Sequence, residues 1–231
     1  MKKAEQTGDG NVRYVNKKRI CIIFITIVLI ILGSSALTGY TISRYPSIIF
    51  DQTNEDNSNN QDNILQLWQQ TKHDIIVDYF LNKNMYLPRE LAREYAKYVV
   101  NHSNHYKLDP FLVAAIIGKE STVDFMARSK VAHGLMQINW GVHKNNILSA
   151  FGSKVKELRD IYSPSINISI GCWILAECMS KADNKYESAL CKYYGTESKS
   201  YTNSILSDYS DMSSKFYQTI DKMIRSMSDS I

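Results

Sequence analysis

Leu108-Asp109-Pro110-Phe111-Leu112-Val113-Ala114-Ala115-Ile116-Ile117-Gly118-Lys119-Glu120-Ser121 is the stretch that decides how this chain folds. Asp109 supplies a side-chain N-cap and Pro110 a preset first helical residue, so a helix is predicted to begin there. Leu112 and Ile116, like Val113 and Ile117, lie four apart on one apolar face, while Ala114, Ala115 and Gly118 allow a neighbouring helix to come close. The pattern places Glu120 at the end of a buried helix. There the negative end of the helix dipole and the apolar surroundings both disfavour a carboxylate anion, raising its pKa and keeping a proton available near neutrality. That is the requirement for a general acid, and it makes Glu120 the candidate catalytic residue.

Four further blocks follow in order. Ser129 to His133 lead into Gly134-Leu135-Met136-Gln137-Ile138, which begins thirteen residues after Ser121. Ser163-Pro164-Ser165-Ile166-Asn167-Ile168 comes next with Gly171 and Trp173, then Ala189-Leu190-Cys191-Lys192-Tyr193. With Glu120-Ser121, these blocks make residues 108–201 resemble the catalytic domain of the soluble-type lytic transglycosylases. The resemblance implies a mostly helical, lysozyme-like fold and cleavage of peptidoglycan between N-acetylmuramic acid and N-acetylglucosamine, with no cofactor. It also implies a substrate-binding set of Ser121, Gly134, Leu135, Met136, Gln137, Tyr193 and Tyr194. Gln137 and the backbone around Met136 would bind sugar, Gly134 would permit close backbone approach, Ser121 would support the site, and the Tyr193 hydroxyl would orient Glu120. One position departs from the pattern: Tyr194 stands where the family usually has Asn. A phenol stacks on a sugar ring but lacks the paired donor and acceptor of an amide, so the departure bears on substrate preference.

The resemblance implies a reaction in which the substrate's own N-acetyl oxygen acts as nucleophile and a 1,6-anhydro end forms without water. Asp124, four residues past Glu120, would share its face if the helix continued and would favour hydrolysis; the other reading of Asp124 is a solvated turn residue. A hydrolytic muramidase and an inactive glycan-binding scaffold are therefore the alternative functions. His73, His102, His105, His133 and His143 lack a metal-peptidase spacing, and no metal site is expected. Cys172, Cys178 and Cys191 are expected to be buried as small apolar groups, although a Cys172 to Cys191 bridge is conceivable.

Residues 1–19 form a basic tail with six Lys or Arg against Glu5 and Asp9, which accounts for the whole formal charge of +4. The remainder is balanced, so there is no basic field to collect nucleic acid. Residues 20–37 are uncharged and long enough to span a membrane with the N-terminus in the cytoplasm, making the chain single-pass with an extracytoplasmic catalytic domain. A cleaved signal peptide, giving a secreted protein, is the alternative. Residues 38–63 read as a polar linker, since Asp51 to Asn63 contain no apolar side chain.

Residues 64–231 make the helical domain. Ile64, Trp68, Ile75, Ile76, Tyr79 and Phe80 give an amphipathic segment, and Arg89 to His105 a helix with Leu91, Tyr95, Tyr98 and Val99 inward. A third helix from Pro164, capped by Ser163, would bury Ile166, Ile170, Trp173 and Ile174. A last one, Met212 to Met227, carries Phe216, Ile220, Met223 and Ile224. The expected partners are glycan strands, the cell membrane and an envelope-spanning secretion or conjugation machinery.

Overall fold

The computed structural model describes the backbone of residues 55–228 and the side chains of residues 62–226. The tail at 1–19 and the apolar segment at 20–37 lie outside the described residues. Among those described, no helix is long and apolar enough to cross a membrane.

The described chain is mostly helical: α1 (Glu55–Lys83), α2 (Arg89–His105), α3 (Pro110–Ser121), a hairpin of β1 (Ala132–His133) and β2 (Ile138–Asn139), α4 (Trp140–Phe151), a 3-10 turn (Leu158–Tyr162), α5 (Pro164–Ser180), α6 (Tyr186–Tyr194) and α7 (Lys199–Ser228). Within the described residues, 55–223 form one compact unit. Within it α3 is the innermost helix, with every residue from Pro110 to Gly118 buried, and α1 and α2 pack against it. Its start follows the predicted chemistry: Asp109 Oδ1 accepts the Phe111 N–H at 2.8 Å, and Pro110 occupies the first turn.

Gly118 shows why the helix needs a residue without a side chain there. A Cβ would strike the Tyr79 hydroxyl of α1. That hydroxyl is fixed from beyond, donating to Asp208 Oδ2 of α7 at 2.8 Å, and Lys83 pairs with the same oxygen at 2.8 Å. One small residue thus lets α1, α3 and α7 converge.

Helix α2 has the predicted limits, with Ala92, Tyr95, Ala96, Val99 and Val100 buried and Leu91 and Tyr98 on the flanks. Helix α5 starts at Pro164 as predicted, but the Ser163 hydroxyl makes no cap bond; its carbonyl starts the helix by accepting the Asn167 N–H at 2.8 Å. Ile170 and Ile174 are buried as expected, whereas Ile166 and Trp173 are only partly covered.

Two boundaries differ from expectation. Helix α1 reaches back to Glu55, inside the stretch assigned to the linker. Once Thr71, Ile75, Ile76, Val77 and Phe80 are buried and the helix is nucleated, each further residue adds a hydrogen bond without a new nucleus. Helix α7 begins at Lys199 rather than near Met212. Its Ser-rich first half hides the periodicity, yet Tyr201, Ile205, Met212 and Phe216 are all buried, at spacings of one or two helical turns.

Candidate active site

The site grows from the abrupt end of α3. Thr122 takes a left-handed conformation (φ 52°) and Val123 follows at φ 60°, an unfavourable backbone for two β-branched residues, held in place by the burial of Val123. The helix therefore stops at Ser121. The Ser121 hydroxyl is buried and donates back to the Ile117 carbonyl at 3.1 Å, so it braces the helix end. Asp124 falls in the turn beyond, where Oδ1 accepts the Met126 N–H at 2.9 Å; it is exposed and belongs to no helix face shared with Glu120.

Glu120 itself is half-buried. Burial pushes its pKa up, opposed by a hydrogen bond from Tyr201 and by the charge of Lys119. The Tyr201 hydroxyl donates to Glu120 Oε1 at 2.5 Å, across 81 residues of sequence. This corrects the expectation that Tyr193 would orient the acid. The Tyr193 hydroxyl donates instead to the Met136 carbonyl at 2.8 Å, although Tyr193 lies near enough for the Glu120 charge to raise its pKa further after burial. Glu120 opens into a cleft of about 300 Å³ lined by Lys119, Tyr194, Ser198, Ser200 and Tyr201. Among these lining residues Glu120 is the one carboxylate.

The Gly134–Gln137 turn closes the hairpin and does not line this cleft. Asn167 of α5 clamps it. The Asn167 amide donates to the carbonyls of His133 (3.0 Å) and Ile161 (2.8 Å), while its oxygen accepts the Met136 N–H at 2.8 Å. Gly134 has φ 78°, and a Cβ there would strike that amide. The close approach it permits is therefore to Asn167. Leu135 and Met136 are wholly buried, with Met136 packed against Gly171 of α5, and the Met136 N–H and carbonyl are both taken, by Asn167 and Tyr193 respectively. The Gln137 Nε2 donates to the Ala127 and Gly134 carbonyls at 3.0 and 2.9 Å, which leaves its amide oxygen as the group it can offer a sugar.

Of the residues expected at the site, Glu120 and Tyr194 thus share the cleft, with Tyr193 between the acid and the turn in its contacts. Sequence reasoning missed Tyr201, Lys119, Ser198, Ser200 and the clamp role of Asn167. Asn167 sat within a quoted block, and a buried amide inside an apolar helix was a signal that could have found it. Tyr201 carried no local signal.

Among the described residues no cluster of His, Cys, Asp or Glu could hold a metal ion. Cys172, Cys178 and Cys191 are free thiols, so the conceivable Cys172 to Cys191 bridge is not formed; Cys172 is fully buried, and burial pushes its thiol pKa well up. No solved structure gives a significant match to the chain. Residues 97–205 match the family model described as the transglycosylase SLT domain, a span that holds Glu120, the clamped turn and Tyr201. That part of the chain is similar to the transglycosylase SLT domain, consistent with a soluble lytic transglycosylase catalytic domain of the lysozyme-like superfamily.

Proposed function

We propose that the protein is a peptidoglycan lytic transglycosylase that cleaves the β-1,4 bond between N-acetylmuramic acid and N-acetylglucosamine and leaves 1,6-anhydromuramic ends. The likeness to the SLT domain supports transglycosylase activity on peptidoglycan in general. The observation that supports the finer reading is a single, protonation-prone carboxylate at the head of a polar cleft, with Asp124 committed to its turn. One carboxylate suffices when the substrate brings the nucleophile. Glu120 protonates the glycosidic oxygen as the bond to the leaving sugar breaks, and the N-acetyl oxygen bonds to the anomeric carbon. The Glu120 carboxylate then takes the proton of the C6 hydroxyl, whose oxygen displaces the N-acetyl oxygen at the anomeric carbon. No water is consumed, and Glu120 ends protonated as it began.

Tyr201 is placed for both halves of this cycle. Its hydroxyl donates to Glu120 Oε1, so the anion left by the first proton transfer meets a donor already in position. Tyr194 and the Gln137 amide oxygen serve the flanking sugars. Residues 20–37 tether the domain to the membrane facing the wall, a reading supported by their hydropathy and the basic tail before them. A tethered, compact cleaver suits local wall opening for a secretion or conjugation apparatus, which rests on analogy with small family members.

Mass spectrometry of purified peptidoglycan digested by the protein tests the proposal. Anhydromuropeptides, one water lighter than hydrolysed ones, are expected from the wild type and reduced at least about a hundredfold with Glu120→Gln. Reducing ends in their place would make the protein a hydrolytic muramidase, and no products from the wild type would make it a glycan-binding scaffold.

A further inference from the structure

Tyr194 is the last residue of α6, which ends because Gly195 takes φ 90° and its N–H closes on the Cys191 carbonyl at 3.0 Å. The chain then turns through Ser198, whose Oγ accepts the Tyr201 N–H at 3.3 Å, and α7 brings Tyr201 back against the end of α6. The result is a stack: the Tyr194 and Tyr201 rings lie 4.2 Å apart between centroids with 21° between their planes. The two rings have unlike surroundings. Both line the cleft beside Glu120, but Tyr201 is 5% exposed and Tyr194 49%.

The Tyr201 side chain must hold one rotamer about Cα–Cβ for its hydroxyl to reach Glu120 Oε1 at 2.5 Å. Its burial restrains part of that freedom, and the face covered by Tyr194 would otherwise open to the cleft. Water entering there would compete for the carboxylate. The geometry points to Tyr194 as a positioning residue for the acid: by stacking on Tyr201 it fixes the phenol that binds Glu120 and keeps cleft water off that bond. This deepens the transglycosylase reading, on which its catalytic meaning rests. Tyr194 touches the reaction through Tyr201, and its own hydroxyl has no part in the device.

A double-mutant cycle between Tyr194 and Tyr201 tests the inference, read as the titration midpoint of the Glu120 carboxyl by carbon-13 NMR in the full chain, which needs no turnover. Tyr194→Ala, and Tyr194→Leu as an apolar variant of more similar bulk, are expected to displace the midpoint by roughly 0.4 to 2 pH units, the range for residues in contact. In a Tyr201→Phe background they are expected to displace it by none, and Tyr194→Phe is expected to retain the wild-type midpoint. Equal displacement in both backgrounds, no displacement in either, or a Tyr194→Phe effect as large as that of alanine would overturn the inference. The melting temperature followed alongside would register a merely structural role without moving the Glu120 midpoint. Wall digestion keeps the two readings apart. Coupling without any cleavage of peptidoglycan would sink the enzyme proposal and leave the positioning role standing, whereas cleavage without coupling would do the reverse.

Discussion

Helix α3 carries a carboxylate at each end, each facing a tyrosine of α7, and the protein uses the two in opposite ways. Asp109, at the N-terminal end, is partly buried; its Oδ1 accepts the Phe111 N–H of α3, and the Tyr209 hydroxyl stands 3.5 Å from Oδ2. Glu120, at the C-terminal end, has one short bond from Tyr201 and a cleft in front of it. Burial raises the pKa of both. At Asp109 two backbone bonds, Lys72 and the positive end of the helix dipole favour the anion; at Glu120 the dipole opposes it, leaving Tyr201 and Lys119. A carboxylate held by the first N–H groups of its own helix is an architectural cap. One left with a single partner and an opening is free to exchange a proton.

The contrast is broken most severely at the chemical end. Glu120→Gln is expected to lower wall cleavage by about two to four orders of magnitude, the usual contribution of a positioned acid, while circular dichroism stays native. Asp109→Asn, which can still cap, is expected to keep cleavage within a few-fold of wild type. Comparable losses in both would erase the distinction between the ends.

At the structural end, Asp109→Ala removes the cap and is expected to cost about 1 to 2 kcal/mol in urea unfolding. An unchanged unfolding midpoint would show that the cap contributes nothing. Tyr201→Phe leaves the ring and takes away the donor, so kcat should fall about tenfold, in line with the loss of one net hydrogen bond to a charged group. Tyr209→Phe, at the limit of hydrogen-bonding distance from Asp109, should leave kcat unchanged; equal losses would mean that the two tyrosines act through the fold.

The smallest effect concerns pH. Because the folded pKa of Glu120 is raised above its unfolded value, its contribution to stability is fully present below the unfolded pKa, near 4.5, and is lost as pH rises through the folded one. Glu120→Gln lacks that loss, so its melting temperature should exceed that of wild type at neutral pH, with the gap closing as the pH falls toward 4.5. A gap that widens on acidification would reverse the assigned direction.

Much of this frame is legible in the residues because its signals are local. The start of α3 lies in Asp109-Pro110, and the periodicity of Arg89 to His105 marks α2 at its observed limits. The turn signature at Gly134 to Gln137 is equally plain, but its use is not. Gly134 reads as room for a ligand, whereas the group that fills the room is Asn167, 33 residues on. The same holds for the tyrosines: Tyr193 lies within a recognisable block, while Tyr201 sits in a Ser-rich stretch whose helix is concealed by its polarity.

The sequence by itself determined where α3 begins, that Glu120 sits at its end among apolar neighbours, and the likeness of residues 97–205 to the transglycosylase SLT domain. Caps, periodicity and helix dipoles act over one or two turns, so they are written in neighbouring residues. Only the tertiary structure decided which tyrosine holds the acid, that a second tyrosine stacks on the first, and that the conspicuous amides of the turn serve the fold as well as any ligand. Those choices depend on how α3, α5, α6 and α7 rotate and approach one another. A rotation of one helix by a single residue would send each hydroxyl to a different partner, and packing of the whole core, not any local pattern, fixes that rotation.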